Sequence, residues 1–340
     1  MSAFWVTTAW LANVVAMNEL GSAYRTLGNP WMVVASLVLA GTILAVTVLW
    51  PLRVLGGEQG GLTEAVSGLV GKPVARVACG VVLVTWALIE MRHTASVAGV
   101  LLGKPFATGY NISAFAICSL VFALLCCATA PRGGGMWGSA RLLGMFSLML
   151  AIGTLMRFGP AIDTRDTWEV VVMPEMAVED LARVAMPFLL FSSGLWPNGS
   201  PLRVAPCLIV FPLLAMMVVN GAVATGEVHM KFPSYAALFA KGSTDWSVAK
   251  GVVAVTTAIF PIRWIFHAVR TNFPELPGWL LAGALPCAAL LLPGELYWRD
   301  ALQWNGLYGD VVRGMVLLLF AAAVGKKIYY FVRTPNISPP

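Results

Sequence analysis

Ten stretches of roughly twenty mostly apolar residues, each long enough to cross a bilayer, follow one another along this chain of 340 residues. They lie at 4–24, 31–54, 77–102, 112–130, 138–158, 181–197, 202–224, 248–269, 276–293 and 308–332. Hydrocarbon offers no partner to a free backbone N–H or C=O, so a chain of this kind is confined to helices wherever it meets lipid. Composition agrees: 59% of the residues are hydrophobic and 11% charged, against about 25% charged in a soluble domain. The spans take up nearly all of the chain, which predicts an all-α polytopic protein with one membrane domain over 1–340. The first segment has no basic region before it and is expected to remain as a span.

The +6 net charge does not point to nucleic acid, because the basic residues are scattered over short loops. With the N-terminus inside, the cytoplasmic segments hold Arg53, Lys72, Arg76, Arg132, Arg141, Arg203, Arg263, Arg270, Lys326, Lys327 and Arg333, with only Glu58, Glu64 and Glu275 as acids. The opposite loop before the sixth span is acidic: Asp163, Asp166, Glu169, Glu175, Glu179 and Asp180. Both termini are therefore predicted on the cytoplasmic side of an inner membrane. The cysteines Cys79, Cys118, Cys126, Cys127, Cys207 and Cys287 sit in apolar runs without metal-ligand spacing and read as small packing residues. No metal, dinucleotide, P-loop or serine–histidine motif is present, so an enzyme is not expected.

Two spans carry polar, glycine-containing interruptions. The first holds Asn18-Glu19-Leu20-Gly21-Ser22-Ala23, and the sixth holds Phe191-Ser192-Ser193-Gly194 after Pro187. A broken membrane helix frees backbone groups, which is tolerated where they line a cavity or are buried in protein. Paired breaks in two halves are the best sequence pointer to a transporter-type site. Ten spans divide into halves of five, 4–158 and 181–332, each opening with a broken helix. Halves with an odd number of spans insert with opposite orientation, so the expected relation between them is an inverted repeat.

Several short motifs then become informative in their order. Gly60-Gly61-Leu62-Thr63-Glu64-Ala65-Val66, followed by Leu69-Val70-Gly71-Lys72-Pro73, precedes the third span. Arg132-Gly133 and Gly138-Ser139-Ala140-Arg141-Leu142 join the fourth and fifth. Ala185-Met186-Pro187-Phe188 leads into the sixth break, and Phe232-Pro233-Ser234-Tyr235 follows the seventh span. This series resembles the amino acid–polyamine–organocation superfamily with its LeuT-type five-plus-five fold. Within it, the chain is most similar to the spore-germination B-subunits, the permease-like subunits of germinant receptors. Leu195-Trp196-Pro197 stands where that family usually carries an acidic residue. The resemblance implies a site between the first, third, sixth and eighth helices.

The candidate substrate-binding residues are Asn18, Glu19, Gly21, Ser22, Ala23, Phe191, Ser192, Ser193, Gly194 and Thr256. Backbone N–H groups of Gly21, Ser22 and Ala23 would favour a carboxylate at a helix start. Carbonyls from Phe188 to Phe191 would favour an ammonium, with the hydroxyls of Ser192 and Ser193 beside them. Glu19 either faces a cavity as a proton carrier or ammonium partner, or marks the end of the first helix at the outer interface. Glu90, Arg92 and His93 in the third span make, with Glu19, the candidate proton or polar relay. Glu90 and His93 share a helix face, and a polar lock between helices explains them equally well. Thr256 lies in the eighth span, which in the fold implied by the resemblance faces the first.

Two functions from different classes follow. One is an ion-coupled permease for an amino acid or similar small amine or zwitterion, with H⁺ or Na⁺ as coupling ion and no other cofactor. The other is an amino-acid-sensing subunit that works with further membrane subunits, or a non-transporting scaffold in such a complex. The partners expected are a small-molecule ligand, the lipid bilayer and, for the second function, those subunits.

Overall fold

The computed structural model describes residues 2–14, 16–17, 20, 30–55, 62–101, 135–161, 181, 184–186, 188–191, 204–225, 247–277 and 300–333. Among these residues there are helices and turns and no strand. In chain order they form α1 (Ser2–Leu11), α2 (Pro30–Leu44), α3 (Trp50–Leu55), α4 (Leu62–Val70), α5 (Lys72–Leu101), α6 (Gly135–Phe158), α7 (Cys207–Ala224), α8 (Ser247–Asn272) and α9 (Asp300–Arg333). Residues 184–186 and 188–191 are helical as well. Val34–Leu55, Ala140–Phe158 and Asp310–Arg333 are each long and apolar enough to cross a membrane. Together these features define a helical membrane protein. The expected fourth span and nearly all of the ninth lie outside the described residues.

Side-chain exposure also calls for a lipid environment. On α6, Leu142, Met145, Met149, Ile152 and Met156 recur at helical spacing and are all exposed, Met156 to 75%. On α5, Val74, Val77, Val81 and Val84 point outward, while Ala75, Cys79, Val82, Leu83, Trp86 and Glu90 are buried. Both faces of α5 are therefore mostly apolar. The inner face differs by its small and aromatic residues, as membrane interiors do. α1 is of another kind: every residue from Val6 to Val14 is buried. A helix apolar nearly all round and buried all round belongs at the centre of the assembly.

The central helix is reached closely by its neighbours. α1 packs on α6, α7 and α8, and α5 packs on α4 and α8. At Gly144 on α6, an added Cβ would lie 2.8 Å from the Trp5 carbonyl oxygen and 3.3 Å from the Ala9 nitrogen. At Gly221 on α7, it would fall on the Phe158 carbonyl at the end of α6. Absent side chains at these points let backbones approach, and dispersion rather than a hydrophobic effect holds the helices together.

Two local features depart from a plain reading of apolar runs. α2 passes into α3 through a π-helical turn, Ala45–Leu49. Pro51 has no N–H and its ring would press on the carbonyl four residues back, so the turn widens and the Trp50 N–H donates to the Ala45 carbonyl instead. The stretch before the third span, read from sequence as a connecting loop, folds in part as α4. Leu62 and Val66, one turn apart, are buried and Glu64 is exposed. Nine residues are too few to register as a span. α4 ends at Gly71, whose φ of +86° is the left-handed conformation that glycine adopts without strain. Its N–H donates to the Ser67 carbonyl (3.1 Å), and its own carbonyl accepts from Ala75 (3.0 Å) to begin α5. Pro212 and Pro261 lie inside α7 and α8, whereas Pro206 sits in the turn that opens α7, where a missing N–H costs nothing.

Candidate functional site

The first and sixth predicted spans meet at one residue. Trp10, near the end of α1, stacks on Phe188 with ring centroids 5.1 Å apart and planes 12° apart. Its indole Nε1 donates to the Val184 carbonyl at 3.1 Å, a buried bond between positions 174 residues apart. Immediately after Trp10 the helix is interrupted at Ala12–Asn13. The Asn13 N–H turns to the Trp10 carbonyl at 3.3 Å, and the path resumes with Met17 N–H on the Asn13 carbonyl at 2.8 Å. Residues 184–186 and 188–191 are all buried. The central contact is therefore made by an interrupted helix and the helical residues 184–186 and 188–191, all of them buried.

The third and eighth predicted spans close around this contact. Trp86 of α5 lies 5.7 Å from Trp10 and stacks on Phe191 at 5.5 Å and 16°. Phe260 of α8 stands edge-on to Trp10 at 6.4 Å, and Trp264 of the same helix lies 5.0 Å from Phe188 and 5.9 Å from Phe260. The His267 ring follows at 6.1 Å from Trp264. Offset and edge-on pairs of this kind add about 0.5–1.5 kcal/mol each beyond their buried area.

Among the described residues, two buried polar atoms have no hydrogen-bond partner: Trp264 Nε1 and Thr8 Oγ1. Both side chains are fully buried; Trp264 belongs to the aromatic cluster, whereas Thr8, two residues before Trp10, lies on the other side of α1, towards α6. An unmade hydrogen bond at such a position costs about 1–3 kcal/mol, so each calls for an explanation. At Trp264 a ligand oxygen would supply the missing partner.

Of the residues singled out by sequence, Phe191 lies within this cluster, and Glu90 is buried one turn beyond Trp86 on α5. Glu90 is engaged in an interaction and is not an isolated charge. Arg92, His93 and Thr256 lie on α5 and α8 at positions whose side chains fall outside the described residues. Asn18, Glu19, Gly21, Ser22, Ala23, Ser192, Ser193 and Gly194 also lie outside them, and so does the core of each anticipated break. Sequence reasoning did not single out Trp10, Trp86, Phe260, Trp264 and Thr8. The available signal was the placement of Trp10 and Trp86 inside spans, away from the interfaces where tryptophan serves as an anchor; Trp264, next to Arg263 near a span end, carried no such signal.

A second polar link ties the end of α8 to α4 and α5. The Asn272 Oδ1 accepts from both the N–H and the Oγ1 of Thr63, at 3.2 and 2.9 Å. Its Nδ2 donates to the Ala268 carbonyl at 2.8 Å. Just beyond, Arg76 and Glu275 pair at 3.2 Å. The start of α5 and the end of α8 thus lie on one side of the protein. In comparison with known proteins, the chain matches no protein-family model and no curated protein sequence.

Proposed function

We propose that this chain is a LeuT-type secondary permease that carries a small amine or zwitterion such as an amino acid, coupled to H⁺ or Na⁺. The observation that supports this reading best is the contact of Trp10 with Phe188 and the Val184 carbonyl, which joins the first and sixth predicted spans at the buried centre. Trp86, Phe260 and Trp264 from the third and eighth spans surround it. Aromatic faces would hold the ammonium. The unpartnered Trp264 N–H would meet an oxygen of the ligand. Glu19 and Glu90 are the carboxylates proposed for proton or cation coupling. The proposed sidedness puts both termini in the cytoplasm, with ten spans arranged as two inverted halves.

The test is uptake by the purified protein in liposomes, with labelled amino acids and small amines offered under a pH or Na⁺ gradient. Gradient-dependent accumulation of one of them is the expected result. A ligand that raises the melting temperature without being accumulated would turn the assignment to the sensing subunit, which would signal through partner subunits. No uptake and no stabilisation by any member of a ligand library would leave only the scaffold role.

A further inference from the structure

The inner end of α9 stands outside the packed body of the protein. Every residue from Gly325 to Arg333 is exposed, and Ile328-Tyr329-Tyr330-Phe331-Val332 forms a continuous apolar and aromatic run within it, with Phe331 at 83% exposure. Five consecutive residues turn through more than one full helical turn, so no direction around the helix is shielded by protein. At 34 residues α9 is about 51 Å long, well beyond the roughly 30 Å of a hydrocarbon core. Lys326, Lys327 and Arg333 place this end at the headgroup layer, where tyrosine prefers to sit.

Trp50–Leu55 and Lys326–Arg333 together contain Arg53, Lys326, Lys327 and Arg333 and no acidic residue, so the described residues of these two segments carry charge of one sign. The two segments are in contact. Lys327 Nζ lies 5.5 Å above the centre of the Trp50 ring, and Lys326 Nζ donates to the Val54 carbonyl at 3.5 Å. At the tip, the Arg333 guanidinium donates to the Tyr329 hydroxyl and lies over its ring. Lys326, Lys327 and Arg333 are thus each steered by an aromatic or carbonyl neighbour. A lysine ammonium has three donors, so Lys326 keeps two for another acceptor.

We infer that the α3–α9 corner is a docking surface for the phosphate headgroups of anionic phospholipids in the adjoining leaflet. Lys326, Lys327 and Arg53 would meet the phosphates, and Tyr329, Tyr330 and Phe331 would seat the helix end at the glycerol level. Charge complementarity and the uninterrupted exposure of the tip select a bilayer over a second copy of the chain, which would also bring Arg53, Lys326, Lys327 and Arg333 against one another. The inference is independent of what the central aromatic cluster binds.

The test is native mass spectrometry of the full chain titrated with phosphatidylglycerol or phosphatidylcholine, for wild type and for Lys326→Gln/Lys327→Gln. Wild type should bind its first phosphatidylglycerol more tightly than phosphatidylcholine. The double variant should lose roughly tenfold in that preference, since a basic residue near the surface contributes appreciably to anionic-lipid attraction. Both lysines are exposed, so melting in a zwitterionic detergent should be unchanged, and Lys326→Arg/Lys327→Arg should restore the preference. Equal affinity for the two lipids, or undiminished preference in the glutamine variant, would overturn the inference. A wild-type dimer that the glutamine variant dissolves would overturn it too, because the surface would then be covered by protein.

Discussion

Thr8→Val should make the ligand-free protein more stable, although it removes a polar group from a central helix. Thr8 is fully buried and its hydroxyl has no partner. Removing an unsatisfied buried hydroxyl relieves a penalty of about 1–3 kcal/mol. Valine keeps the branched shape and the single strongly preferred rotamer of a β-branched residue in a helix, so little strain is added. Larger domains gain about 2–4 °C in melting temperature per kcal/mol, and the lower figure suits a chain of this length; the expected rise is therefore about 2–6 °C. Thr154→Val is the matched control on α6. Its hydroxyl lies 2.8 Å from the Ala151 carbonyl and 3.0 Å from that of Leu150, so valine there should be neutral or cost up to about 1 kcal/mol. The assay is thermal unfolding of both variants in one detergent, without and then with a ligand that stabilises wild type. Thr8→Val should show a higher ligand-free value and a ligand-induced rise like that of wild type, because its side chain lies away from the aromatic cluster. A fall in ligand-free stability would refute the reading of this hydroxyl as an unsatisfied buried group.

Three further outcomes test the packing around the site. Gly144→Ala should destabilise by about 1–3 kcal/mol, because its methyl group would meet the Trp5 backbone on α1; Gly153→Ala on the same helix has open space and should be neutral or gain up to about 1 kcal/mol in helix propensity, which thermal melts of the pair will show. Gly71→Ala has room for its methyl group but must hold a φ of +86°, so it should lose about 1–2 kcal/mol while Gly71→Asn loses less, read from the same melts. The Arg76–Glu275 pair is about half exposed on both sides, so a double-mutant cycle should give a coupling of about 0.2–1 kcal/mol that fades in high salt; a larger, salt-resistant value would mean that this corner is more shielded than its exposure indicates.

What the sequence made legible was the part governed by solvent. The runs 31–54, 138–158 and 308–332 announced themselves because twenty apolar residues have few destinations other than a bilayer, and the structure gives long apolar helices at each. α4 was less visible: its two buried residues, Leu62 and Val66, form a pattern too short for span counting and are meaningful only against the α5 and α8 surfaces they cover. The aromatic cluster was illegible for a related reason. In a soluble helix the buried stripe stands out against a polar face, whereas on α5 the lipid-facing valines and the buried Trp86 are equally apolar. Hydropathy cannot separate inside from outside there; only size and shape can, and those become informative once Trp10, Phe188 and Trp264 are seen to fit one another. Polar residues stand out in such a chain because membranes tolerate few of them. That contrast drew the sequence reading to Glu19, Glu90 and the serines, and it passed over the tryptophans, whose single N–H becomes informative only when its partner is identified or, as for Trp264, found to be missing.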